Sequence, residues 1–135
     1  MQSIRTCIFL LFLLVGQTAK SQDVIDVTLK FDHLESNNGY VMLLIQDEGE
    51  KDVAKVVLPI LNKIAEKTIK MAAGNYGFSA YHDVNANEKL DLNLFGAPTE
   101  AYGFSNNARS TFSKPSFSET LVDVSKNRII KFKLE

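Results

Sequence analysis

Over Val24–Phe31 apolar side chains fall on every second residue, Ile25, Val27, Leu29 and Phe31, with Asp26, Thr28 and Lys30 between them. Successive side chains of an extended chain point to opposite faces, so this pattern makes a strand buried on one side and fits no helix. The same period returns in residues 76–81, where Tyr76, Phe78 and Ala80 oppose Gly77, Ser79 and Tyr81, and in residues 128–134, where Ile130, Phe132 and Leu134 share a face. Residues 40–46 form a short, near-continuous apolar run, the mark of a central strand covered on both faces. It follows the turn cluster 35–39, whose Asn38-Gly39 step favours positive φ. Val53, Val56, Val57, Ile60, Leu61 and Ile64 would suit a helical stripe, but Pro59 would remove a backbone donor in its middle. Two strands, 55–58 and 64–71, are predicted there instead, and a further one over 119–124. The chain therefore reads as all-β: an antiparallel β-sandwich, immunoglobulin-like or transthyretin-like, of about seven strands with one long ordered loop.

The first 21 residues have the anatomy of a cleavable signal peptide. Arg5 supplies a positive start, residues 8–15 an unbroken apolar core, and Ala19-Lys20-Ser21 small residues before a cut ahead of Gln22. That core is too short to span a bilayer, which takes roughly 20 residues. Cys7 precedes it and leaves with the signal, so residues 22–135 form a single cysteine-free domain with no membrane span. An exported domain without disulfides must stand on its apolar core. Without Arg5 and Lys20, 13 of the 15 basic residues face 16 acidic ones, a net charge near −3. With no basic stripe and no Trp, nucleic acid is excluded as a partner. The expected location is periplasmic or extracellular.

Residues 82–117 carry no regular period. Irregular segments that long are uncommon in compact domains unless they are functional or disordered. Phe95, Tyr102, Phe104, Phe112 and Phe117 argue for order, as apolar anchors packing the excursion down. Its first part places oxygen-bearing side chains on alternate residues, Asp83, Asn85 and Asn87, then Asp91 and Asn93. A hard cation such as Ca²⁺ takes six to eight oxygens at about 2.3–2.6 Å, and a tight loop with this spacing can supply several. In the frame of the helix–loop–helix calcium loop, Asp83, Asn85, Asn87 and Asp91 hold positions one, three, five and nine, and Lys89 offers a carbonyl at seven. Glu88 stands at six in place of Gly, Leu94 at twelve in place of Glu, and no helices flank the loop. With two carboxylates the affinity expected is weak, toward the millimolar range, unless Glu88 or Glu100 folds back as a further ligand. Asx-turns without metal would give the same composition.

The second part of the excursion mixes glycines, aromatics and amides, which suits a recognition surface as well as a loop packed on its own sandwich. Its candidate ligand-binding residues are His82, Glu100, Tyr102, Phe104, Asn106 and Asn107. No G-x-S-x-G, H-E-x-x-H, P-loop or catalytic cysteine is present.

The run Gly74-Asn75-Tyr76-Gly77-Phe78-Ser79-Ala80-Tyr81-His82-Asp83-Val84-Asn85-Ala86-Asn87-Glu88-Lys89-Leu90-Asp91, then Phe95-Gly96-Ala97-Pro98-Thr99-Glu100-Ala101-Tyr102-Gly103-Phe104-Ser105-Asn106-Asn107-Ala108, resembles the signature of DUF2141, a bacterial exported family of unknown function. Lys114-Pro115-Ser116-Phe117 fits its later P-x-F element, and Gly77 stands where the family commonly has Ala. The resemblance implies a signal peptide, a compact β domain and a cell-envelope location, and it implies no reaction. The residues themselves then favour a non-enzymatic envelope module that binds a protein, glycan or small ligand through residues 82–108, with Ca²⁺ as a candidate for ordering that loop. The alternatives are a purely structural envelope component, or a small hydrolase or isomerase using His82, Asp83 and Glu100.

Overall fold

The computed structural model describes residues 21–135, so the expected signal segment, save Ser21, lies outside the described residues. The alternation that defines β1 (Val24–Phe31) sends Val27, Leu29 and Phe31 into full burial. β1 lies centrally in a three-stranded sheet. On one side it pairs antiparallel with β4 (Ala65–Ala72), and on the other it pairs parallel with β8 (Arg128–Phe132). The second sheet runs β3 (Asp52–Pro59), β2 (Tyr40–Asp47), β5 (Gly74–Asp83), all antiparallel. Along the remaining edge of β5, β6 (Tyr102–Phe104) pairs with residues 79–81 and β7 (Leu121–Val124) with residues 74–77.

The two sheets face each other across one core. Phe31 stacks on Phe132 at 4.5 Å between centroids, and Phe78 from the opposite sheet meets Phe132 edge-on at 6.3 Å. Burying a side chain of this size is worth about 1.5–3 kcal/mol, and without disulfides such contacts carry the stability. The all-β sandwich and the Pro59 argument for two strands both hold, with Pro59 ending an edge strand where its missing donor costs nothing.

Three local readings need correction. An eighth strand, β6, lies inside the segment read as wholly irregular. The β1–β8 pair is parallel, because β8 returns from the second sheet to the first after the short turn beyond β7. The last strand pair also begins late: Phe117–Thr120 is a helical turn closed by a capping box, with the Glu119 carboxylate accepting the Ser116 N–H at 2.8 Å. The hydrogen bonds from Ser116, its hydroxyl first and its backbone second, hold the Glu119 carboxyl below the usual range. Gly77 is more than a small change within a strand. A Cβ there would lie 2.5 Å from the Phe117 ring and 2.7 Å from the Thr120 hydroxyl, so the bare backbone seats this turn.

Candidate functional site

β5 ends in adjacent residues that point opposite ways. His82 turns into the core, 1% exposed, with Nε2 2.8 Å from the Asn38 carbonyl and Nδ1 without a partner. Asp83 turns outward and is buried by the loop that follows. Its two oxygens accept the N–H groups of Asn87 (3.1 Å) and Glu88 (2.8 Å). Asn85 Oδ1 accepts the Asn87 N–H at 3.2 Å and Asn87 Oδ1 accepts the Lys89 N–H at 2.9 Å, a run of Asx-turns. The amide groups of Asn85 and Asn87 donate to the two oxygens of Asp91 at 2.6 and 2.9 Å. Asp83, Asn85, Asn87 and Asp91 are thus drawn into one turn, with donors of the loop itself on their oxygens, and Lys89 enters through its N–H. Among the described residues no group of three or more His, Cys, Asp or Glu side chains is placed to hold a metal.

Glu100 closes the loop at its base. One oxygen accepts the Val84 N–H at 3.0 Å and the other the Asp91 N–H at 3.1 Å, so a single carboxylate ties both ends. Beyond Asp91 the chain makes a bridge, Leu92 to Pro98, around a turn held by Asn93, whose side chain accepts the N–H groups of Phe95 and Ala97. Asn106 donates to the carbonyls of Glu119 and Leu121, and Asn107 accepts the Lys133 N–H. His82, Glu100, Asn106 and Asn107 are therefore committed to the chain's own backbone and line no common surface. His82 also faces away from Asp83 and Glu100, so the three do not converge as a hydrolase or isomerase would need.

Tyr102 and Phe104 face a groove. Its floor is the outer face of the second sheet, where cross-strand register sets Val57, Met42, Tyr81 and Tyr102 in one row and Lys55, Leu44, Ser79 and Phe104 in the next. Residues 88–98 form one wall and residues 110–114 the other, enclosing about 890 Å³. Small-molecule sites commonly span about 300–1,000 Å³ with mostly apolar linings. Arg109 pins the floor: its guanidinium donates to the carbonyls of Tyr102 (3.0 Å) and Lys133 (2.9 Å) and lies 5.5 Å from the Tyr102 ring centroid. The Tyr81 phenol is pushed above its ordinary value, by burial first and then by the charges of Asp83, Glu100, Glu88 and Asp91.

Phe95 and Phe112, expected to anchor the excursion, do the opposite. They are 94% and 98% exposed and stand on the two walls of the groove. Polar side chains order this segment instead: Asp83, Glu100, Asn93, Asn106, Asn107 and the fully buried Ser105, whose hydroxyl accepts the Phe78 N–H at 3.0 Å and donates to the Thr120 carbonyl. The sequence signal for the groove was the near-continuous run in β2. Met42 and Leu44 form its outward apolar row, which is half-buried, so β2 is central but its outer face is open where full cover was expected.

Fold and groove together define a small β-sandwich with an apolar, aromatic-edged cleft on one sheet. The chain belongs to DUF2141, a family described as an uncharacterised protein conserved in bacteria, whose model matches residues 29–131. No curated protein and no solved structure matches the chain.

Proposed function

We propose that this is an exported, non-enzymatic envelope module that binds a largely apolar ligand in the groove walled by its long excursion. The observation that carries this reading is the outer face of β2, β5 and β6: Met42, Leu44, Tyr102 and Phe104 half-buried beneath two almost fully exposed phenylalanines. Exposed apolar patches rimmed by polar residues mark interaction sites, because leaving such area in water is unfavourable. A purely structural role would favour polar side chains there. N-phenylnaphthylamine, an uncharged dye that fluoresces when it leaves water, is expected to bind with one saturating site per chain. Leu44→Asp, which puts a charge on the groove floor and leaves the opposite core face of β2 intact, is expected to weaken it at least about tenfold, since stranding a charge against an apolar ligand costs more than about 1.4 kcal/mol. No enhancement, or enhancement indifferent to Leu44→Asp, would remove the proposal.

One observation supports an added role for Ca²⁺ in ordering the loop. Glu88, at the position where calcium loops place glycine, adopts φ 62° all the same, and its N–H meets the Asp83 carboxylate as a sharp turn there requires. A cation would take Asp91 from the two Asn amides and draw their oxygens inward. For millimolar affinity, calcium at ten times the dissociation constant adds about 1.4 kcal/mol. The melting temperature should then rise by roughly 5 °C over that in chelator. Identical melts would exclude the ion.

A further inference from the structure

The charges around the groove are unevenly placed. On its acidic side the carboxylates of Asp83, Asp91 and Glu100 each accept two hydrogen bonds from the chain itself, which leaves Glu88 as the lining acid with its carboxylate unengaged. Lys55, on the β3 side of the floor, and Lys114, on the 110–114 wall, also line the groove. Among the described residues neither takes part in an ion pair or a side-chain hydrogen bond. The four acids keep their charge within the 83–100 loop, where they act on Tyr81, while the two ammonium groups without an acidic partner stand on the β3 side of the floor and on the 110–114 wall.

We propose that the occupant of the groove is an acidic single-chain amphiphile, its hydrocarbon lying on Met42, Leu44, Tyr102 and Phe104 and its anionic head held between Lys55 and Lys114. This rests on the apolar-binding reading above and adds the head group to it. A lysine suits such a ligand because its methylene stem lies along the chain while its ammonium meets the head. Phe95 and Phe112, standing in water on opposite walls, would close over the hydrocarbon. Each methylene taken out of water strengthens binding by roughly fourfold, so the tail supplies most of the affinity and the lysines the selection. A partly exposed ion pair selects modestly, roughly two- to fivefold for each lysine.

Dodecanoate, dodecanol and dodecylamine share one tail and differ in head charge. Isothermal titration of the purified protein, with each amphiphile below its micellar concentration and at low salt, should place dodecanoate at least about fivefold tighter than dodecanol and dodecylamine weakest. The double variant Lys55→Glu, Lys114→Glu should invert the order of the acid and the amine. Equal affinities for the three, or an acid preference that survives the double variant, would overturn the head-group assignment while leaving apolar binding in place. Failure of all three to bind would overturn both readings. Attachment to zwitterionic lipid vesicles through Phe95 and Phe112, with no saturable site for the monomeric amphiphiles, would assign the exposed phenylalanines to a bilayer surface and overturn the proposal as well.

Discussion

Gly39→Ala is expected to destabilise the fold by about 4 kcal/mol or more, a loss reached by few single substitutions. Gly39 sits at φ 67° and leads directly into β2, where Tyr40 pairs with Asp83. A Cβ at this position would lie 1.7 Å from the carbonyl oxygen of Asp83 and 2.9 Å from the carbonyl carbon of Val84. Both are backbone atoms, which cannot rotate aside. Alanine would therefore add about 1–2 kcal/mol of left-handed strain and also part β2 from the end of β5, where the excursion begins. The His82 contact to the Asn38 carbonyl would be pulled apart with it. For a domain of this size the melting temperature should fall by roughly 15 °C. Gly96→Ala supplies the control: φ is 79° there, but nothing stands within 4 Å of the added carbon, so only the strain of about 1–2 kcal/mol is expected. Equal losses for the two variants in a urea melt would contradict the register between β2 and β5.

Glu100→Ala is expected to free the loop while the sandwich stays folded. The carboxylate makes two charge-assisted bonds, to Val84 and Asp91, and nothing else among the described residues ties those two N–H groups. Hydrogen bonds to charged groups contribute about 1.5–3 kcal/mol each, and at this partly exposed site the lower figure applies. Losing both should raise the open population of residues 84–91 by roughly a hundredfold. Lys89, exposed within that loop, gives a direct readout: trypsin cleavage after it should accelerate by a similar factor, with the global melting temperature changed by only a few degrees. An unchanged cleavage rate would show that Glu100 does not hold the loop.

What the sequence made legible follows from what periodicity can encode. β1 and β8 announce themselves because one face is buried and the other open to water, β5 because apolar residues recur at every second position, and β3 and β4 because Pro59 leaves no helical alternative. β6 is three residues long, Tyr102–Phe104, too short to show a period, and its pairing with residues 79–81 is decided by contacts remote in sequence. The parallel β1–β8 pair is equally non-local. The capping box was open to reading, since Ser116 and Glu119 stand three apart as such a motif requires, but the apolar residues around it suggested a strand. At the candidate site the Asx ladder was visible and its turn geometry followed. The roles of the aromatics were not, because outside a regular element a phenylalanine carries no mark of which way it faces. Phe78 is buried and Phe95 stands in water, although both fall within the same family signature.

Amide hydrogen exchange over residues 84–99 of the wild-type protein tests most directly whether the wall of the groove is a fixed object. The N–H groups of Asn87, Glu88, Asp91 and Thr99 should exchange at least about a hundredfold more slowly than in an unstructured chain, although most of this segment lies at the surface, because each has a definite acceptor in Asp83, Glu100 or the Asp91 carbonyl. Exchange of all four at unprotected rates in the folded protein would mean that the excursion builds no wall, and that the groove, the ligand and the head-group selection drawn from it do not exist.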